Sequence, residues 1–395
     1  MAATLYAYAF LDDFVLLYPV YALLFTDFGM SPWQLSSLLV IWSATGILIE
    51  VPSGALADAY SRRLLLVVGP LLTAAGFALW VFTPSYLAFA AGFVLWGVKG
   101  SLASGALEAL LYEELDRMGQ AAAYPRLTGR AHAIGVVAVL LATAAATPAL
   151  AAGGYSAVGV ASIAACLLTA AVAATFPEHR RPPDGESDLG YLATLRAGIA
   201  AAHADRRVRR WLLLVPAITA IWGALEEYTP LLIRETGVDV ARVPLWYMLI
   251  YACISVGGLL AGAGNRLSAR GLGALITGAA VALAGGALTG RPAGILLVAV
   301  AFGAFQIATV VADTRLQDRI TGSARATVTS VAALATDGLT IAVYGTYAVL
   351  APAGHGVAFA LLAVPYLVVA GLIRAGSRRG PRRGSAPGPR RCRGA

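Results

Sequence analysis

The chain has 395 residues, of which 59% are hydrophobic and 13% charged, and its formal net charge is +8. Ordinary soluble domains carry roughly 25% charged residues, so this composition excludes a water-solvated globular fold and points to a polypeptide whose main solvent is lipid. The positive balance does not point to nucleic acid, because much of it lies in an Arg-, Gly- and Pro-rich tail, residues 375–395, expected to be disordered and to touch anionic headgroups.

In chain order, apolar stretches predict spans at residues 5–26, 33–56, 64–83, 86–107, 131–152 and 155–176. A second set follows at residues 211–233, 245–264, 271–289, 293–312, 326–350 and 354–373. At about 1.5 Å per residue, segments of about twenty residues match a hydrocarbon core of about 30 Å, whereas barrel strands would be half as long. The sequence therefore predicts an all-α integral membrane protein with twelve transmembrane helices embedded in a lipid bilayer.

Arginine alternates between the loops. With both chain ends on one side, 25 of the 28 arginines fall on that side, and only Arg234, Arg242 and Arg291 fall on the other. The positive-inside rule then predicts cytoplasmic termini and a multi-pass protein of the cell membrane. The first span contains Asp12 and Asp13 and no basic segment precedes it, so it reads as a retained helix and not a cleaved signal.

Several chemistries lack the residues they would need. Cys166 and Cys253 fall in predicted spans and Cys392 in the tail, and the four histidines show no ligand spacing, so no disulfide framework, metal site or cofactor is expected. The Gly-rich loop ending in Lys and Ser/Thr that cradles nucleotide phosphates does not occur, which argues against ATP-driven transport within this chain. A membrane-embedded lipid-modifying enzyme is the alternative class, but it would want a polar catalytic cluster at an interface that the sequence does not supply.

The polar stretch 177–210 divides the spans six and six, giving an N-terminal bundle (1–176), a linker whose end (189–210) can lie on the membrane surface, and a C-terminal bundle (211–374). Gly29 pairs with Gly237, Asp58 with Asn265 and Glu108 with Asp313, at offsets of 208, 207 and 205, which suggests duplication. Paired bundles suit a function in which two bodies rock around a central site, so the architecture points to transport of a small molecule.

Between the second and third spans the chain reads Gly54-Ala-Leu-Ala-Asp58-Ala-Tyr-Ser-Arg62-Arg63. This resembles the loop signature of the major facilitator superfamily: Gly, three residues, Asp, a basic residue, any residue, Gly, then two basic residues. Ala59 replaces the usual basic residue and Ser61 the usual Gly, and residues 265–270 look like a degenerate second copy with Asn265 in place of Asp. The resemblance implies the major facilitator fold of two pseudo-symmetric six-helix bundles, alternating-access secondary transport, a monomer, and a cytoplasmic gate built on Gly54, Asp58, Arg62 and Arg63. Glu50, near the end of its helix, is expected to brace that gate. The superfamily's Gly-rich antiporter pattern is nearly absent: around Pro148 its glycines would fall at Ile134, Thr143, Thr147, Ala151 and Ala152.

Ionisable groups at bilayer depth cost about 2.5–3.5 kcal/mol or more each and mark function by default. They are Asp12 and Asp13, Glu50, Lys99 (the only lysine), Glu226 and Glu227, and Asp337. Counting along the helices puts Lys99 and Asp12 each about 20 Å from the outer end, where they can meet. The resemblance implies that the first, fourth and seventh helices line the cavity, which would put Asp12 or Asp13, Lys99, and Glu226 or Glu227 on the route of substrate or protons. Adjacent residues point about 100° apart on a helix, so one of each acid pair is expected to face the cavity squarely. For Lys99, snorkelling toward headgroups is the competing expectation. The aromatic stripe Phe10, Phe14, Tyr18, Tyr21 and Phe25 could grip a substrate, but is expected rather to pack or to touch lipid. Gly97, Ser101 and Gly105 form a small-residue packing face.

The acid-rich set suggests a proton-coupled exporter of hydrophobic or cationic compounds. Lys99 keeps an importer of anionic or zwitterionic metabolites in view.

Overall fold

A computed structural model describes residues 1–59, 61–179, 206–319 and 325–377. The helices are α1 (Ala2–Asp13), α2 (Tyr21–Asp27), α3 (Pro32–Ala59), α4 (Arg62–Phe82), α5 (Tyr86–Arg117), α6 (Tyr124–Ala173) and α7 (Arg206–Glu235). They continue with α8 (Val243–Gly264), α9 (Ala269–Leu288), α10 (Pro292–Gln317), α11 (Arg325–Leu350) and α12 (His355–Ser377). Ten of these are long and apolar enough to cross a membrane. The interfacial helix expected from residue 189 falls mostly outside the described residues, which resume at Arg206, where α7 starts.

At 50 residues, α6 is too long for one crossing. It turns at Gly153 (φ −149°) and Gly154 (φ 60°, ψ −156°), and the second of these conformations favours glycine because a Cβ would clash. Its two arms supply the fifth and sixth spans, and α1 with α2 supplies the first. Twelve crossings result.

The first span departs from the single helix expected over residues 5–26. It stops at Asp13 and resumes at Tyr21. Pro19 explains the break, since its ring has no N–H to donate and clashes with a carbonyl one turn earlier, while the residue before it is pushed out of the helical region. A broken helix at membrane depth is tolerated only where neighbours satisfy the freed backbone. Here the Leu17 amide donates to Ser162 Oγ of α6 at 3.1 Å, and the Val20 and Tyr21 amides donate to the Leu17 carbonyl.

Helices α1–α6 form one bundle and α7–α12 the other, and matched details reveal the duplication. Gly29 and Gly237 both hold left-handed turns, at φ 84° and 87°. Ser61 caps α4 by accepting from the Leu64 amide, and Ser268 caps α9 by accepting from the Gly271 amide. Gly97 of α5 brings that helix against α3, where a Cβ would stand 3.0 Å from the Thr45 Cβ. Its counterpart Gly303 of α10 meets the Cys253 carbonyl of α8, 2.7 Å from where a Cβ would stand. Between the bundles, α2 packs on α7, α3 on α11 and α6 on α8, leaving a cleft.

Candidate transport cleft

The cleft holds two adjoining chambers. The larger, about 450 Å³, lies between α3, α5, α7 and α11 and takes polar lining from Ser43, Glu50, Ser101, Glu227, Asp337 and Thr340. Gly46, Gly100 and Gly223 also line it, and a Cβ at any of them would stand in open space. These glycines keep the chamber wide, whereas the sequence suggests only packing for small residues in spans. Glu50 thus lines the chamber, where the sequence led us to expect a brace on the loop beyond it.

The smaller chamber, about 150 Å³, is walled by Tyr18, Tyr21, Trp42, Trp96, Tyr247 and Tyr251, and both Glu226 and Glu227 reach it. Of the two adjacent acids, Glu227 lines both chambers and Glu226 only the smaller one, which reaches far enough around α7 to meet both. Trp96 stacks on Tyr18 (centroids 5.3 Å) and on Trp42 (4.9 Å), which fixes three rings as a wall. Tyr18 stands within the break of the first span, so the interruption at Pro19 is what turns this ring and Tyr21 inward. Tyr21 hydrogen-bonds Glu227, and the Tyr247 hydroxyl donates to Glu226 at 3.2 Å. Trp42 and Glu227 line both chambers, which adjoin there.

Lys99 and Asp12 form an ion pair, with Nζ donating to Oδ2 at 2.8 Å. The lysine stem lies against Gly69 of α4, where a Cβ would stand 3.1 Å from Lys99 Cγ. The pair is therefore held among α1, α4 and α5 inside the N-terminal bundle, and neither residue is among those lining the two chambers. Snorkelling toward headgroups is not what this side chain does. Asp13 points instead to Gly135 of α6, where a side chain would collide with its carboxylate.

At the face away from the termini, the bundles are joined by side chains. Asp27 at the end of α2 pairs with Arg234 of α7 and accepts from the Tyr155 hydroxyl at 2.6 Å. Deeper in, the Ser36 and Tyr228 hydroxyls share a hydrogen bond of 2.7 Å. On the terminal face, the described contacts of the signature arginines stay within the N-terminal bundle. Arg62 pairs with Glu113 and donates its amide to Glu178 at 2.7 Å, while Arg63 donates to the Phe176 carbonyl at 3.3 Å. Gly54 and Asp58 lie in the last turns of α3, and the side chain of Asp58 is outside the described set. Glu114, which is buried, is held by Arg117 and His179, in keeping with a structural role.

Sequence reasoning raised Tyr18 and Tyr21 as rings that could grip a substrate but missed Trp42, Trp96, Tyr247 and Tyr251 beside them, and the Asp27–Arg234 pair. Tryptophans at mid-span, away from the interfacial belts where this residue usually sits, were an available signal for Trp42 and Trp96. Asp27 and Arg234 lie in different bundles, and no local pattern connects them.

A family model described as Major Facilitator Superfamily matches residues 2–345. No curated protein sequence matches. Among solved structures, a mutant of the nucleoside transporter NupG is similar with a TM-score of 0.77 and 13% identity, over 95% of this chain and 99% of that one. A bacterial homolog to the human lysosomal transporter Spinster, inward-facing and unoccupied, is similar at a TM-score of 0.70 and 16% identity over 95% and 94%. A D-xylose-proton symporter is similar at 0.68 and 16% over 94% and 95%. At such identities the likeness concerns the fold.

Proposed function

Because the chain belongs to the major facilitator superfamily, whose model spans nearly all of it, we propose that this secondary transporter is a proton-coupled exporter of hydrophobic or cationic compounds from the cytoplasm. The carrying observation is the charge of the cleft. Glu50, Glu227 and Asp337 line the larger chamber and Glu226 the smaller, with no lysine or arginine among the lining residues. Carboxylates withdrawn from water call for positive charge, and a bound cation and a proton can take turns supplying it. Exchange of the one for the other is then built into the site, as alternating access requires.

Lys99 supports the same choice. Its ammonium is already matched by Asp12, so it does not offer an anion a free partner in the cleft, and the importer of anionic metabolites loses its motive. Lys99, Asp12 and Asp13 act in this reading as the polar core of the moving N-terminal bundle, at one remove from the substrate route. The Asp27–Arg234 pair holds the far side closed while the chambers face the terminal side, which the arginine distribution makes cytoplasmic. Gly54, Asp58, Arg62 and Arg63 belong to the opposite gate, which meets the C-terminal bundle only when the cleft turns outward. The protein works in this reading as a monomer of the plasma membrane and catalyses no covalent step.

The test is transport of a broad panel of amines and neutral drugs in proteoliposomes under an imposed proton gradient. Substrate movement against the gradient of protons is expected in the wild type, with Glu227→Gln losing at least about tenfold in gradient-driven rate while still allowing exchange of substrate for substrate. Transport indifferent to both the gradient and Glu227→Gln would defeat the coupling proposed.

A further inference from the structure

We infer that the smaller chamber is a headgroup subsite for an ammonium ion, quaternary or protonated amine, whose body extends into the adjoining larger chamber. The inference deepens the exporter reading and rests on it for its physiological sense, but its geometry stands separately. Three features of the chamber agree on this ligand chemistry. The first is the wall: Trp96, stacked on Tyr18 and on Trp42, lines the chamber together with those two rings and Tyr21, Tyr247 and Tyr251, and aromatic rings, tryptophan above all, attract a cation that cannot hydrogen-bond.

The second is charge. Glu226 and Glu227 both reach this space, each with one hydrogen bond from a tyrosine and no basic residue beside it in the lining. The tyrosines orient the two carboxyl groups, so a cation entering between the rings gains the attraction of the aromatic wall and of whichever carboxyl is ionised.

The third is size. Whole small-molecule sites run to roughly 300–1,000 Å³. The smaller chamber, at about 150 Å³, suits a compact group, and the larger, at about 450 Å³, suits a molecule's body. Trp42 and Glu227 line both, so the two spaces adjoin at these side chains. An anion would use this site badly because of its charge.

Equilibrium binding to the full chain in lipid nanodiscs, followed by tryptophan quenching, tests the assignment with choline and its uncharged carbon isostere 3,3-dimethylbutan-1-ol. Choline is expected to bind about tenfold tighter or more, Trp96→Leu to remove most of that preference, and Trp96→Phe to keep much of it. The comparison of the two probes on the unaltered protein does not depend on how any variant folds. Equal affinity for the two probes would overturn the inference. So would a preference that survives Trp96→Leu and vanishes in Asp337→Asn, since the headgroup would then sit in the larger chamber. Choline that binds with this preference while no amine moves across proteoliposomes would leave the subsite standing and defeat the exporter reading. Gradient-driven transport of other compounds without an ammonium preference would do the reverse.

Discussion

At matching positions 206 residues apart, α5 of the N-terminal bundle carries Lys99 and α10 of the C-terminal bundle carries Phe305. Lys99 is paired to Asp12, whereas Phe305 stacks on Tyr366 with ring centroids 4.0 Å apart. Two residues earlier on the same helices, Gly97 and Gly303 make the same close backbone approach in both bundles. Duplication has thus kept the places where backbones touch and released the side chains around them. The N-terminal bundle holds a cation and an anion that balance inside it, and it lends the cleft Tyr18, Tyr21, Trp42, Trp96 and a single acid, Glu50. The C-terminal bundle has an apolar interior at the matching place and spends its acids, Glu226, Glu227 and Asp337, on the cleft itself.

The sharpest way to break this contrast is to remove half of the internal pair. Lys99→Ala leaves Asp12 without its partner in a site only about a fifth exposed, where its side chain is 22% accessible. Breaking a buried pair costs about 3–5 kcal/mol, while replacing both members by apolar residues of similar volume is often close to neutral. Thermal unfolding of the purified protein is therefore expected to show a large drop for Lys99→Ala and recovery of most of it in Lys99→Met combined with Asp12→Leu. Glu226→Gln and Glu227→Gln, by contrast, should leave the unfolding temperature nearly unchanged while altering transport. A double variant as unstable as Lys99→Ala would mean that the pair is not self-contained, and the contrast between the bundles would collapse.

A second, smaller effect probes what the bundles share. Gly97→Val and Gly303→Val each drive a branched side chain into a facing helix, and overpacking of this kind costs about 1–3 kcal/mol. Gly303 should suffer more, because its Cβ would stand 2.7 Å from the Cys253 carbonyl, whereas at Gly97 the nearest backbone atom, the Trp42 carbonyl, is 3.1 Å away and the Thr45 side chain 3.0 Å. Equal tolerance at both positions, read from unfolding temperature, would argue that the helix spacing is not set by these glycines.

How much of this was legible beforehand depends on the range of the interaction. The crossings follow from local hydrophobicity, and the meeting of Lys99 with Asp12 follows from counting rises along two helices of known direction. The repeat also showed itself in Gly29 and Gly237, since a left-handed turn is a local demand that selects glycine in each copy. The break in the first span was readable in Pro19 but was outweighed by the length of the apolar run. The aromatic chamber was not readable, because Tyr18, Trp42, Trp96 and Tyr247 come from four separate elements whose facing depends on helix rotation. A stripe such as Tyr18 and Tyr21 looks the same in sequence whether it greases a core or walls a cavity. Glu50 shows the same limit: counting along one helix gives its depth but not that the larger chamber reaches far enough toward the terminal face to include it.

The smallest expected effect separates the two copies of the signature loop. Ser61 and Ser268 cap α4 and α9 with the same bond, accepted from the amide three residues on, at 3.0 and 3.1 Å. Loss of such a cap by substitution with alanine costs about 0.5–2 kcal/mol, typically about 1. Ser61 has a further partner, since its hydroxyl also hydrogen-bonds Glu178, which in turn accepts the Arg62 amide. That bond to a charged group binds the start of α4 to the chain leaving α6, and Ser268 has no such bond among those the structure describes. Ser61→Ala is therefore expected to lower stability more than Ser268→Ala does. Ser61→Gly, which places the superfamily's usual residue there, should cost only a few tenths of a kcal/mol as a cap but still lose the Glu178 contact. If Ser61→Gly matches the unaltered protein while Ser61→Ala does not, the capping bond alone accounts for the serine. If both variants fall by similar amounts, the tie to Glu178 is the reason this loop departs from its family pattern.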